Sequence, residues 1–135
     1  MKIGITVVLL CVVVTQVFAS ESYLCVGDMS TGFLYNKATK IWETARFKEK
    51  SYVFKKETGE NSKLWEWKVT GLGSDFIESY CEKGFDDTGG LYCQGMSQTF
   101  RMDKNRLRFL KTMQGGYEDG RGTPSIEIGK CSPKN

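Results

Sequence analysis

The sequence predicts an all-β domain, a small antiparallel meander barrel or sandwich stapled by two disulfides. Three observations predict it. Apolar side chains alternate with polar ones in short segments, and turn-forming clusters part those segments at roughly ten-residue spacing. Four cysteines remain once an export signal is set aside.

The chain opens with Lys2, an almost wholly apolar run from Ile3 to Phe18, and Val17-Phe18-Ala19 at its end. This pattern predicts a secretory signal peptide over 1–19, cut after Ala19, and a single β domain over 20–135 in the periplasm or outside the cell. Thr6, Thr15 and Gln16 interrupt the run, which argues against an uncleaved membrane anchor. Cys11 follows Leu10 rather than a small residue, which argues against lipid attachment. No membrane span is therefore expected after cleavage.

Phe33 and Tyr35 share one predicted strand face, as do Tyr52 and Phe54. Trp65, Trp67 and Val69 fall on one side of the next segment, with Glu66 and Lys68 opposite. Both tryptophans are expected in the core, because strand aromatics are usually packing residues; an exposed ring would suggest a binding platform. Leu107, Phe109 and Met113 line one face of a later segment, with Arg106 and Arg108 on the other, and Ile126 and Ile128 flank Glu127 near the end. Turns are predicted at Asn36 to Lys40, Thr58 to Ser62, Asp86 to Gly90 and Asp103 to Asn105.

One stretch departs from this period. In Asp75 to Gly84, Phe76, Ile77, Tyr80 and Cys81 recur at helical spacing, Asp75 and Glu78 form a capping-box pair, and Gly84 stands where a helix-ending glycine belongs. A short helix near 76–83 is expected, the alternative being an irregular strand.

Composition excludes several chemistries. The chain has no histidine, which removes Ser-His-Asp and Cys-His nucleophiles and histidine-ligated metal or haem. Its net charge of +3 is too small for a dedicated nucleic-acid protein. Cys25, Cys81, Cys93 and Cys131 allow three pairings; Cys81–Cys93, closing a local loop, and Cys25–Cys131, tying the two ends, are the favoured ones. A tetrathiolate zinc site would need a close Cys-x-x-Cys pair, which the chain lacks. No metal or cofactor is expected.

The order Cys25, Gly32-Phe33-x-Tyr35, Trp42, Phe47, Trp67, Cys81, Cys93-x-Gly95, Arg108-Phe109, Gly116-Tyr117 and Ile126-x-Ile128-Gly129-x-Cys131 resembles an uncharacterised group of short exported proteins of proteobacteria and their phages. The resemblance covers nearly all of the chain after the signal; it implies an envelope setting and no catalytic residues. Tyr23-Leu24-Cys25 also gives a looser, fold-level likeness to periplasmic inhibitors of C-type lysozyme.

Candidate sites are few. Asp87-Thr88-Gly89 matches the core of the aspartic protease motif, but Asp86 would set a second charge beside the dyad, so a glycine-rich turn is the better reading. The acidic stretch Asp75 to Asp87 lacks the ligand pattern of a calcium loop. Arg101, Lys104, Arg106 and Arg108, with Lys111, concentrate positive charge against Asp103. They are the candidate binding residues, for an anionic envelope component or a protein partner, weighed against an ordinary solvated hairpin face.

The function expected is that of an exported, disulfide-stabilised, non-enzymatic binding protein. The alternatives are an inhibitor of a hydrolase such as lysozyme and, last, a carboxylate-based enzyme. A ligand carrier predicts a hollow interior lined by aromatics. An inhibitor predicts a protruding loop at Asp86 to Gly90 or Gly115 to Gly122, and an enzyme two close carboxylates in a cleft.

Overall fold

The computed structural model describes residues 21–134; the predicted signal peptide lies outside the described residues. The chain forms β1 (Ser22–Asn36), β2 (Ile41–Arg46), β3 (Ser51–Lys56), β4 (Trp67–Gly71), β5 (Ile77–Cys81), β6 (Gly90–Gly95), β7 (Gln98–Asp103), β8 (Arg108–Met113) and β9 (Ser125–Pro133). The one helical element among the described residues is a 3-10 turn at Glu60–Lys63. Strands β1 and β3 to β9 pair antiparallel in chain order and close through β1 and β9 into an eight-stranded barrel. Strand β2 is the additional ninth strand, paired with the outer half of β1.

The interior is filled by side chains. Tyr52, Phe54 and Phe100 are fully buried, and Tyr52 meets the rings of Phe100 and Phe109 edge-on at 5.0 and 5.6 Å. Trp67, Val69, Leu91 and Met102 complete the packing. Gly129 opposes Phe109 across β8 and β9, and a Cβ there would collide with the Val26 carbonyl oxygen and the Phe109 ring. Only glycine lets the three strands approach so closely.

The cysteines pair as Cys25–Cys131 and Cys81–Cys93. Each bridge joins residues on neighbouring antiparallel strands, β1 to β9 and β5 to β6, with Cα atoms 4.0 Å apart. Both belong to an oxidising environment. No helix among the described residues is long and apolar enough to cross a membrane.

Residues 76–83 do not form a helix. Ile77–Cys81 is strand β5, with Ser79 and Cys81 turned inward. Cys81 must lie alongside Cys93, and a strand provides that placement with period-two burial. Phe76, assigned to the apolar helix face, is 65% exposed, and Tyr80 stacks on Trp65 outside the barrel, centroids 5.4 Å apart.

Candidate binding face

Inside the barrel, one end is polar. Lys111, Glu127 and Ser30 stand in one inward row across β8, β9 and β1. Lys111 Nζ donates to the Tyr52 hydroxyl at 3.1 Å, and that hydroxyl donates to Glu127 Oε2 at 3.0 Å. Glu127 Oε1 accepts from the Lys50 backbone N–H at 2.8 Å. The Lys111 ammonium also lies 5.0 Å from the centre of the Tyr52 ring and 5.3 Å from that of Phe100. Burial pushes the Tyr52 phenol well above its ordinary range, helped by the Glu127 charge, and burial pushes the Lys111 ammonium down. Gln98 Nε2 reaches the Glu78 carbonyl at 2.7 Å and its carboxylate at 3.0 Å. Lys111, Glu127, Ser30 and Gln98 are buried, Glu78 is partly so, and their bonds link strands from within the barrel.

On the outside of the barrel the strand parity differs from expectation. Glu127 is buried while Ile126 and Ile128 are 51% and 46% exposed, the reverse of a strand that hides its isoleucines. Cys131 sets this parity. Its bridge to Cys25 turns it inward, and Gly129 and Glu127 follow at two-residue steps. In β1 the register shifts between Gly27 and Met29, so Ser30 turns inward while Phe33 and Tyr35 stay outside, half exposed.

The registered pairs assemble these outward side chains into rows. Leu110, Ile128 and Met29 form one, and Thr112, Ile126, Thr31 and Arg46 the next. Beyond them, Phe33 pairs with Thr44, and Tyr35 with Trp42, between β1 and β2. The loop after β8 folds back onto this end, bringing the Tyr117 ring 5.3 Å from Trp42, which itself lies 5.6 Å from Tyr35. Two adjoining hollows result, both lined by Phe33 and Pro124. One of about 440 Å³ runs past Thr31, Met113 and Ile126, and one of about 530 Å³ lies between Trp42 and Tyr117.

The basic candidates divide. Arg101 and Arg108 lie exposed on the outer face of β7 and β8, in neighbouring rows, with Arg101 5.5 Å over the Tyr92 ring. Lys130 on β9 pairs with Arg108 and adds a third cation, which its place in the Ile-x-Ile run concealed. Arg106 is not on that strand face. It sits in the turn before β8, where its guanidinium binds the Asp103 carboxylate at 2.8 Å, and Leu107 follows at φ 53°. Lys104 is in the same turn, its ammonium 5.2 Å over the Phe85 ring.

The remaining motifs resolve as structure. Asp86 Oδ1 accepts from the Thr88 and Gly90 N–H groups and the Thr88 hydroxyl, so the Asp-Thr-Gly tripeptide lies in a turn wound on Asp86. Those bonds, the Thr88 hydroxyl foremost, hold the Asp86 carboxyl below its usual range. Trp67 is core, at 2% exposure, whereas Trp65 precedes β4 and is partly exposed against Tyr80.

No protein-family model, curated protein or solved structure matches this chain.

Proposed function

We propose that this protein is a non-enzymatic binding domain that works in the periplasm or outside the cell and holds a protein target against the outer face of β1, β2 and β9. One observation carries this reading. A contiguous apolar surface, with Phe33, Tyr35, Ile126 and Ile128 all at least 40% exposed, lies on a barrel whose interior is already packed. Exposed apolar patches rimmed by polar groups mark interaction sites. Arg101, Arg108 and Lys130 supply such a rim on one side, favouring a target that carries carboxylates beside its apolar surface.

The test is retention of envelope proteins on the immobilised mature chain. Phe33→Ser with Trp42→Ser should abolish it with little change in melting. Arg101→Gln with Arg108→Gln should weaken it and reduce its sensitivity to salt, because exposed charges are screened over about 8 Å at physiological ionic strength. Retention unaffected by either pair would refute the reading.

The loop from Gly115 to Gly122 favours a second reading. It presents Tyr117, 65% exposed, beside the exposed Glu118 and Asp119, the acidic and aromatic side chains with which an inhibitor of a hydrolase such as lysozyme could contact its target. Lysozyme assays with the mature chain and with Tyr117→Ala test it.

A further inference from the structure

Among the described residues, the sheet has a free edge beside the aromatic face. Strand β2 pairs with β1 and ends the strand order. The Phe47 N–H donates to the Ser30 carbonyl at 3.0 Å, continuing the β1–β2 register by one step beyond Thr31 and Arg46. Backbone groups alternate sides along an antiparallel strand. Ala45, Glu43 and Ile41 therefore turn theirs to β1, and Trp42, Thr44 and Arg46 turn theirs to the open edge. The same three residues place their side chains on the outer face with Phe33 and Tyr35. Hydrogen-bonding groups and aromatic surface are presented together.

We propose that β2 is the docking edge for an extended acidic segment of a partner protein, which adds to the sheet as a further strand. This deepens the binding reading above and rests on it. Charge selects the occupant. Lys40, Arg46 and Lys48 are exposed at the two ends of β2, while the Glu43 side chain lies on the other face and accepts from Asn36 Nδ2 at 3.2 Å. A second copy of the chain fits poorly. The two twofold registers that overlap β2 most fully set Lys40 against Arg46 of the other copy, or against its Lys48, and like charges directly opposite are destabilising. An acidic strand pairs with those cations, and an apolar side chain between its carboxylates covers Trp42. Main-chain bonds supply affinity and alternate side chains supply selectivity, as in other cases of strand addition.

A fluorescent synthetic peptide of alternating Val and Thr with a Glu at each end is the probe, read by anisotropy on the mature, oxidised protein. Saturable binding is expected, weakening with salt. Thr44→Pro deletes one outward N–H without touching the pairing to β1; it should weaken binding at least about tenfold, whereas Thr44→Ala should not. Arg46→Glu should weaken it as well and does not depend on the proline variant folding. Equal binding by Thr44→Pro of unchanged melting temperature, or no saturable binding by wild type, would overturn the proposal. So would a wild-type dimer in sedimentation that Thr44→Pro dissociates, since the occupant would then be a second copy. If the peptide fails while the Phe33 and Trp42 substitutions still abolish target retention, the face binds without the edge, and only the strand-addition step falls.

Discussion

Lys111 and Glu127, cross-strand partners inside the barrel, are joined through the hydroxyl of Tyr52, which accepts from the ammonium and donates to the carboxylate. This one hydroxyl bridges the two charged groups, while the other carboxylate oxygen accepts from the Lys50 N–H. Removal of the hydroxyl leaves a buried cation and a buried carboxylate each short of a partner, which costs more than the bonds themselves stabilise. Tyr52→Phe should cost about 1–3 kcal/mol in urea unfolding. Lys111→Met should be near neutral or stabilising, because burial disfavours this ammonium more than the neighbouring Glu78 and Glu127 favour it, and the Tyr52 to Glu127 bond is left intact. A Lys111→Met variant less stable than Tyr52→Phe would show that the ammonium holds the network.

The same lysine makes a pH prediction. Burial lowers its folded pKa below the unfolded value of 10.5. Between the two values the unfolded chain binds the extra proton, so stability rises with pH there, and below the folded value the buried charge carries its full cost. Unfolding free energy of wild type relative to Lys111→Met should climb as pH approaches about 10. A constant difference would contradict the assignment.

At acid pH the slope has the same sign and a different source. Glu57 accepts from the Gly59 N–H at 2.7 Å and meets the Lys68 ammonium at 3.0 Å; these, the backbone bond first, hold its carboxyl below the ordinary 4.5. Its contribution is fully present above 4.5 and is lost as pH falls through the lower folded value. Glu57→Gln should therefore flatten the acid limb of a stability profile. An unchanged limb would place acid sensitivity elsewhere.

Trp67→Ala should cost about 3–5 kcal/mol, the range for truncating a buried aromatic. Trp65→Ala, stacked on Tyr80 at the surface, should cost about 1 kcal/mol. Denaturant melts of the pair check this, and equal losses would mean Trp65 holds the 3-10 turn in place.

The two disulfides should fail differently. Cys25–Cys131 spans 106 residues and Cys81–Cys93 spans 12, so by chain entropy their removal costs about 4.7 and about 3 kcal/mol. Yet β5 and β6 share a single registered pair, Tyr80 with Gln94, beside the shorter bridge. Replacing Cys81 and Cys93 by Ala should therefore raise amide exchange in β5 and β6 selectively. Uniform loss of protection would show that this seam is no weaker than the rest of the barrel.

Most of the architecture was legible along the chain. Alternation at Tyr52 and Phe54, the turns at Asn36 to Lys40 and Asp103 to Asn105, and the number and spacing of the cysteines all act locally, and they indicated an all-β, twice-bridged domain. Which face of each strand is wet was not legible, because parity is a tertiary property. One disulfide turns Cys131 inward and thereby buries Glu127 and exposes Ile126 and Ile128; one register shift in β1 leaves Phe33 and Tyr35 outside. Residues 76–83 show the same limit, since their helical spacing yields to the need for Cys81 to lie beside Cys93. Residue order alone was enough for most of the strands, their turns and the basic residues between Arg101 and Arg108, though not for β5. Only barrel closure decided that Lys111 and Glu127 would be enclosed and that Trp42 would flank a free edge, because a period of two specifies two faces but not which of them meets water.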